Sequence, residues 1–203
     1  METVHKDFLR LCDYMSEKRY RHTLGVRDAA LRMGEILMPD ATDTIEAAAM
    51  LHDIAKERPV KELTEAIRES GYTPDPEELS AESLLHAYAA PYYIRRDFPR
   101  YATEPILQAV YYHTVGRADM TLLEKIIFLA DFIEDGRTYS ACREVREWFY
   151  REFSSSSDPA RVLDCAVLRV LDFTIAYLIR EGLYISMQSL AARNSILSSL
   201  SQC

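Results

Sequence analysis

Apolar residues recur along this chain at intervals of three and four positions, which is the spacing of one face of an α-helix. The pattern is clear in DTIEAAAMLHDIAK and in LLEKIIFLADFIE, and only six glycines occur among the 203 residues. We identify no strand. The sequence therefore predicts an all-α fold. The predicted helices cover residues 6–17, 20–38, 43–56, 59–70, 80–97, 104–113, 121–134, 142–153, 159–181 and 186–200.

Three helix starts carry recognisable capping signals. The segments DTIE, beginning at Asp43, and TLLE, beginning at Thr121, both have the form of a capping box. Asp158 is followed by Pro159, which is typical of an N-cap with proline at the first helical position. These signals predict helix starts at all three places.

Polar, turn-forming segments divide the chain only weakly. GYTPDPEEL reads as a loop, and the serines at 154–157 form a short polar link. We expect a helical core over residues 1–153. Residues 154–203 are expected to add C-terminal helices that pack on this core as part of the same domain.

Histidine and carboxylate side chains fall on the apolar faces of the predicted helices. His22 shares a stripe with Val26, four positions on. His52 shares one with Ala48, and Asp53 lies at the edge of that face. Asp131 follows apolar positions at four-residue spacing in a helix that is otherwise almost wholly apolar. A carboxylate at such a place is costly unless it is paired or bound to a metal.

Two interpretations of these inward polar groups have to be weighed. A single inward histidine is more often a hydrogen-bonded core residue than a ligand, and the His52–Asp53 pair fits a buried hydrogen bond as well as a metal site. Three predicted helices each contribute such a group, however, and one metal site would account for all of them. Imidazole and carboxylate donors suit iron, manganese or zinc, and the absence of cysteine from the group argues against a structural zinc site.

Charge and composition exclude several classes of function. The net charge of −8 argues against general binding of nucleic acid, which needs a positive field. No apolar run approaches the roughly 20 residues of a membrane span, and the N-terminus lacks the apolar core of a signal peptide. The four cysteines form no CxxC pair. We therefore expect a cytoplasmic protein that binds neither nucleic acid nor membrane.

Several motifs resemble one known family. RYRHTLGV, AAMLHDIAK and EKIIFLADFIEDGR resemble the H…HD…D signature of the HD-domain phosphohydrolases. SLLHAYAA, YYHTVGRADM and the tail FTIAYLIREGLYISMQSLAARNSIL are similar to the YqeK branch, the symmetrical bis(5'-nucleosyl)-tetraphosphatases. The resemblance extends over residues 18–200. It implies an HD-domain helical bundle that binds iron, as one or two ions, and cleaves diadenosine tetraphosphate to two ADP; manganese and zinc are alternative metals.

The resemblance also implies roles for individual residues. The implied primary metal ligands are His22, His52, Asp53 and Asp131. His86 and His113 match positions that contact a second metal or the phosphates, and with Asp53 they are the candidate catalytic residues.

The implied substrate-binding residues are Arg19, Lys56, Arg137, Thr174 and Leu178, of which the first three would hold phosphate and the last two an adenine. For the three cations a solvated surface charge is the competing interpretation. The family often has proline where this chain has Asp135, which leaves the path of the loop that carries Arg137 open.

Other functions fit the same sequence less closely. The same ligands with a smaller pocket would suit an HD-domain nucleotidase that acts on mononucleotides. A nucleotide-binding module without activity, or a helical interaction protein, would need the inward polar groups only for binding or for hydrogen bonds. The sequence does not determine the oligomeric state, and a homodimer is one option.

Overall fold

A computed structural model describes residues 6–201 and contains no strand within that range, which confirms the predicted all-α fold. The helices are α1 (Glu17–Leu37), α2 (Thr42–Leu51), α3 (Val60–Glu69), α4 (Glu82–Asp97), α5 (Glu104–Tyr111), α6 (Leu122–Ile133), α7 (Ser140–Ser155), α8 (Pro159–Arg180) and α9 (Met187–Ser201). Short 3-10 helices cover Phe8–Asp13, Pro39–Ala41, Glu78–Ser80 and Pro99–Tyr101. Within the described residues no helix is long and apolar enough to cross a bilayer.

Two helix boundaries differ from the prediction in ways that affect function. The predicted helix 43–56 ends at Leu51, because i to i+3 hydrogen bonds such as Ile54 N to Leu51 O and Lys56 N to Asp53 O replace the α-helical pattern. His52 and Asp53 therefore lie in a tight turn after α2. The first predicted helix, over residues 6–17, was also wrong in type, since a 3-10 helix covers Phe8–Asp13.

The capping predictions were correct at two of the three sites. Thr121 forms a full capping box, and the Asp158 side chain accepts a hydrogen bond from Arg161 N. The box predicted at Asp43 was wrong. A 3-10 turn leads straight into α2, so the helix begins one residue earlier, at Thr42, and the preceding residue provides no side-chain cap.

The core surrounds α2, whose small residues allow close packing on both sides. α1 packs against α2 and α6, while α5 contacts α2 and α6. Gly34 of α1 lets the end of the Ile45 side chain of α2 pack against the α1 backbone, where a Cβ would force that side chain to move. Leu163 of α8 and Ile196 of α9 belong to the same apolar cluster as the N-terminal helices. The division into residues 1–153 and 154–203 stays a prediction.

Candidate metal centre

Three segments bring His22, His52, Asp53 and Asp131 together at one buried place. His22 comes from α1, the His52–Asp53 pair from the turn after α2, and Asp131 from α6. His22 Nε2 lies 3.0 Å from Asp131 Oδ1 and 3.7 Å from Asp53 Oδ2. His52 Nε2 lies 3.3 Å from Asp53 Oδ2 and 4.0 Å from Asp131 Oδ1. Four donor atoms therefore face one another across a few ångströms.

Oxygen atoms accept hydrogen bonds from Nδ1 of His22 and His52 and so orient both rings. His22 Nδ1 donates to Glu134 Oε1 at 3.1 Å, and His52 Nδ1 donates to Ala49 O at 2.7 Å. These bonds place a proton on each Nδ1 and turn each Nε2 towards the carboxylates. Among the described residues neither Nε2 atom has a hydrogen-bond partner, although both are buried.

This arrangement fits a divalent metal ion. Ligand bonds of about 2.0–2.2 Å hold neighbouring donors roughly 3 Å apart and opposite donors roughly 4 Å apart. The four separations between a histidine nitrogen and a carboxylate oxygen, 3.0–4.0 Å, lie in that range. Asp131 approaches the two histidines but lies outside the group of His22, His52 and Asp53, whose ligand atoms are all within 4.8 Å of one another. Hydrogen bonding of Nδ1 to an oxygen is also the usual support of a metal-binding histidine.

A second group of donors shares Asp53 with the first. Asp53 Oδ1 lies 3.3 Å from His86 Nε2 and 3.6 Å from His113 Nε2, whereas its Oδ2 faces the first group. His113 Nδ1 donates to Val110 O at 2.6 Å, which directs its Nε2 into the second group, 3.3 Å from His86 Nε2. Two groups that could hold an ion, His22–His52–Asp53 and Asp53–His86–His113, thus meet at one carboxylate.

The protein groups keep the carboxylates ionised. Burial raises the pKa of Asp53, but the close approach of His52, His113 and His86 outweighs this effect and holds the pKa well below the usual range. The pKa of Asp131 is likewise low, because His22 and Arg137 outweigh the effect of burial. Burial lowers the pKa of His86 to about 4, so its ring is neutral near pH 7. Anionic carboxylates and a neutral imidazole are the forms that bind metal.

The protonation of His22 is set by two opposing effects. Burial lowers its pKa, but the carboxylates of Asp131 and Glu134 raise it to about 9. The protein groups alone therefore favour a cation at this position, in keeping with a site that attracts positive charge.

The three predicted phosphate-binding cations lie at the edge of the centre. Arg19 Nη1 donates to Asp53 Oδ2 at 2.8 Å, and Arg137 Nη2 donates to Asp131 Oδ1 at 2.6 Å. Lys56 Nζ is 3.2 Å from His86 Nε2, and burial lowers the pKa of this lysine. Asp135, the departure from the family pattern, is exposed, and the loop still directs Arg137 to the centre.

Sequence reasoning missed Glu134, the acceptor behind His22. Its Oε2 also accepts a hydrogen bond from Gly136 N, which fixes the carboxylate. A Cβ on Gly25 would collide with Glu134 Oε2, so the glycine makes room for it. The signal was present, because Gly25 follows His22 by three positions and Glu134 follows Asp131 by three, which places each pair on one helix face.

Two clefts open beside the centre and share Arg137 and Tyr139. The first, of about 460 Å³, is rich in cations and is lined by Lys18, Arg19, Arg21, His22, Glu134, Gly136, Arg137, Thr138 and Tyr139. The second, of about 640 Å³, is more apolar and is lined by Phe132, Arg137, Tyr139, Ser140, Ala141, Cys142, Phe173, Thr174, Ala176, Tyr177 and Arg180. Of the two residues predicted to contact adenine, Thr174 lines this cleft and Leu178 does not.

The fold and the centre define an HD-domain protein. The family model described as HD domain matches residues 19–135, which include His22, the His52–Asp53 pair and Asp131. The most informative solved structure is a protein of Clostridium acetobutylicum, described as a predicted HD superfamily hydrolase involved in NAD metabolism. It is 32% identical with a TM-score of 0.82, over 96% of this chain and 97% of that one.

Relatives of similar sequence with curated names indicate the family within the HD-domain class. The chain is 35% identical over 184 residues to a protein of Halalkalibacterium halodurans named symmetrical bis(5'-nucleosyl)-tetraphosphatase. This match covers 91% of each chain. A Bacillus subtilis protein of the same name is 38% identical over 133 residues, 66% of this chain and 70% of that one. This chain therefore belongs to the symmetrical bis(5'-nucleosyl)-tetraphosphatase family of HD-domain proteins, as its motifs predicted.

Because the two ligand groups share the Asp53 carboxylate, substitutions in them should reduce the metal content to different degrees. We expect Asp53→Ala to lose nearly all bound metal, because both groups lose an anionic oxygen, whereas His86→Ala should retain the ion of the first group. Elemental analysis of purified variants measures this. His5→Ala is the control, since His5 matches no motif and lies outside the described residues. Wild-type metal content in Asp53→Ala would refute the assignment.

Proposed function

We propose that this protein hydrolyses dinucleoside tetraphosphates, with diadenosine tetraphosphate as substrate, and releases two nucleoside diphosphates. The observation that carries the proposal is the pair of ligand groups around Asp53, beside a cleft lined by Arg19 and Arg137. A divalent metal bound there would supply an acidified water and neutralise charge on the phosphate. Kinship with the tetraphosphatases supports the choice of substrate.

The ligand roles follow the two groups of donors. We assign the first ion to His22, His52, Asp53 and Asp131, whose donor atoms converge. We assign a second ion to Asp53, His86 and His113, with the histidines also in reach of phosphate oxygens. Asp53 would contribute one oxygen to each group, so its position would also fix where the reacting phosphate is held. Iron as the native metal rests on the family resemblance, and a cytoplasmic location rests on the cysteine pattern and the N-terminal sequence.

The cations beside the centre would hold the phosphate chain. Arg19 donates to the Asp53 carboxylate through Nη1, and Arg137 donates to Asp131 through Nη2 and Nε. Both residues also line the cationic cleft, so Arg19 Nη2 and Arg137 Nη1 could donate to phosphate. Lys18 and Arg21 extend this positive lining outward. A chain of four phosphates can thus be neutralised along the cleft although the protein as a whole carries a net charge of −8.

The second cleft suits a nucleoside. It begins at Arg137 and contains the aromatic rings of Tyr139, Phe173 and Tyr177, with Thr174 between the last two in sequence. Bases stack on such rings with about 1–3 kcal/mol per base. The tyrosines at 139 and 177 are 72% and 49% exposed, so their faces are open to a ligand. A role for Leu178 in contacting adenine rests on resemblance alone.

The position of cleavage tests the function most sharply. If the ligand groups and the cations beside them hold the middle of the tetraphosphate, diadenosine tetraphosphate should give ADP only, because the phosphorus held at these residues would be the one that water attacks. In water labelled with heavy oxygen, one of the two ADP molecules should carry the label on its terminal phosphate. Mass spectrometry of the products measures both. Equal amounts of ATP and AMP would contradict symmetrical cleavage, and release of phosphate from mononucleotides alone would favour the nucleotidase.

The nucleoside cleft predicts a selective effect on substrate affinity. Tyr177→Ala should raise the KM for diadenosine tetraphosphate about 5- to 100-fold, as the loss of one stacked base implies, while kcat changes little. Ile179→Ala is the matched control, since this residue is 64% exposed on the same helix and does not line the cleft. Tyr177→Phe should retain most of the affinity. Steady-state kinetics with an unchanged KM in Tyr177→Ala would contradict a base at this place.

A further inference from the structure

Arg146 on α7 forms hydrogen bonds to the turn that follows α6. Its Nε donates to Ile133 O at 2.5 Å, and its Nη2 donates to Glu134 O and, at 2.8 Å, to Arg137 O. The side chain is only 16% exposed. One planar guanidinium thus binds the last carbonyls of α6 together with the far end of the turn.

The turn held in this way carries two residues of the candidate site. The Glu134 carboxylate accepts the hydrogen bond from His22 Nδ1 and so orients the His22 ring. The Arg137 side chain donates to Asp131 and lines both clefts. Within the turn, Arg137 N donates to Glu134 O at 3.0 Å. The backbone positions of both residues therefore depend on the same short segment.

We propose that Arg146 is a positioning residue of the reaction, acting through Glu134 on the metal centre and through Arg137 on the phosphates. The second half of this inference rests on the proposed function, whereas the first half concerns metal binding alone. Arg146 itself contacts neither His22 nor Asp131 through any recorded hydrogen bond or ion pair, so its influence passes through the turn.

The geometry goes beyond ordinary capping of a helix end. A cap on α6 would need only the carbonyls of Ile133 and Glu134, which end the helix. The bond to Arg137 O lies three residues further on and closes the turn. A lysine ammonium is a point donor on a flexible stem and cannot reproduce this planar fork. Arg146→Lys therefore removes the planar set of guanidinium donors while keeping the positive charge, and so tests whether that geometry is needed.

The metal half can be tested without any substrate. Manganese-loaded wild type, Arg146→Ala, Arg146→Lys and the control Arg143→Ala are challenged with a chelator, and retained metal is measured. Arg143 is exposed on the same helix. We expect both Arg146 variants to bind manganese about 10-fold more weakly, as lost outer support of a metal ligand does, and Arg143→Ala to match wild type. Adding Glu134→Gln to Arg146→Ala should weaken binding little further.

The phosphate half is tested by a double-mutant cycle on hydrolysis of diadenosine tetraphosphate. With manganese at saturating concentration, so that weaker metal binding does not limit turnover, Arg146→Ala should lower kcat/KM about 10- to 100-fold in the wild type. The loss should be much smaller in an Arg137→Ala background, because the remaining effect of Arg146 passes through Arg137. A purely structural Arg146 would give the full loss in both backgrounds. If Arg146→Ala does not fold, the cycle is run with Arg146→Lys.

The outcomes separate the two proposals. Fully additive losses, or wild-type metal retention and turnover in the Arg146 variants, overturn the positioning role. If wild type releases no ADP from diadenosine tetraphosphate, the proposed function fails, and the chelator experiment alone then decides whether Arg146 supports the metal centre.

Discussion

The arrangement of the whole site depends on one buried carboxylate, that of Asp53, which is 3% exposed and faces a different group of histidines with each oxygen. An ionised carboxylate removed from water costs several kcal/mol unless cations or hydrogen bonds compensate it. Here His52, His86 and His113 surround it, and Arg19 binds it from the cleft side. The cost of burial makes each of these partners necessary.

The fold meets this requirement with a few local features. The α-helix before Asp53 ends at Leu51, and the i to i+3 turn that follows directs His52 and Asp53 into the same space. Gly25 lets the Glu134 carboxylate approach α1 and hold the ring of His22. The proposed phosphate-binding cations Arg19 and Arg137 are in direct contact with the candidate metal ligands Asp53 and Asp131, so these residues could connect metal binding with substrate binding.

Much of this was predictable from sequence because helical spacing determines which side chains share a face. The inward directions of His22 and Asp131 followed from spacing, whereas the roles of His86 and His113 at a second metal or at the phosphates rest on resemblance and stay a prediction. Helical spacing could not show that α2 stops before His52, because a change to i to i+3 bonding depends on contacts elsewhere in the chain. Nor could it pair Glu134 with His22, which lie 112 positions apart. The sequence analysis also missed that Tyr139 lines the more apolar cleft, because helical spacing does not show which distant segments meet.

The claim that Asp53 serves two ions at once is tested most directly by electron paramagnetic resonance of protein titrated with manganese. Two ions that share one carboxylate lie close enough for their spins to couple. We predict that binding saturates at two manganese ions per chain and gives the spectrum of a coupled pair. Saturation at one ion, or a spectrum of isolated ions at two per chain, would contradict the account.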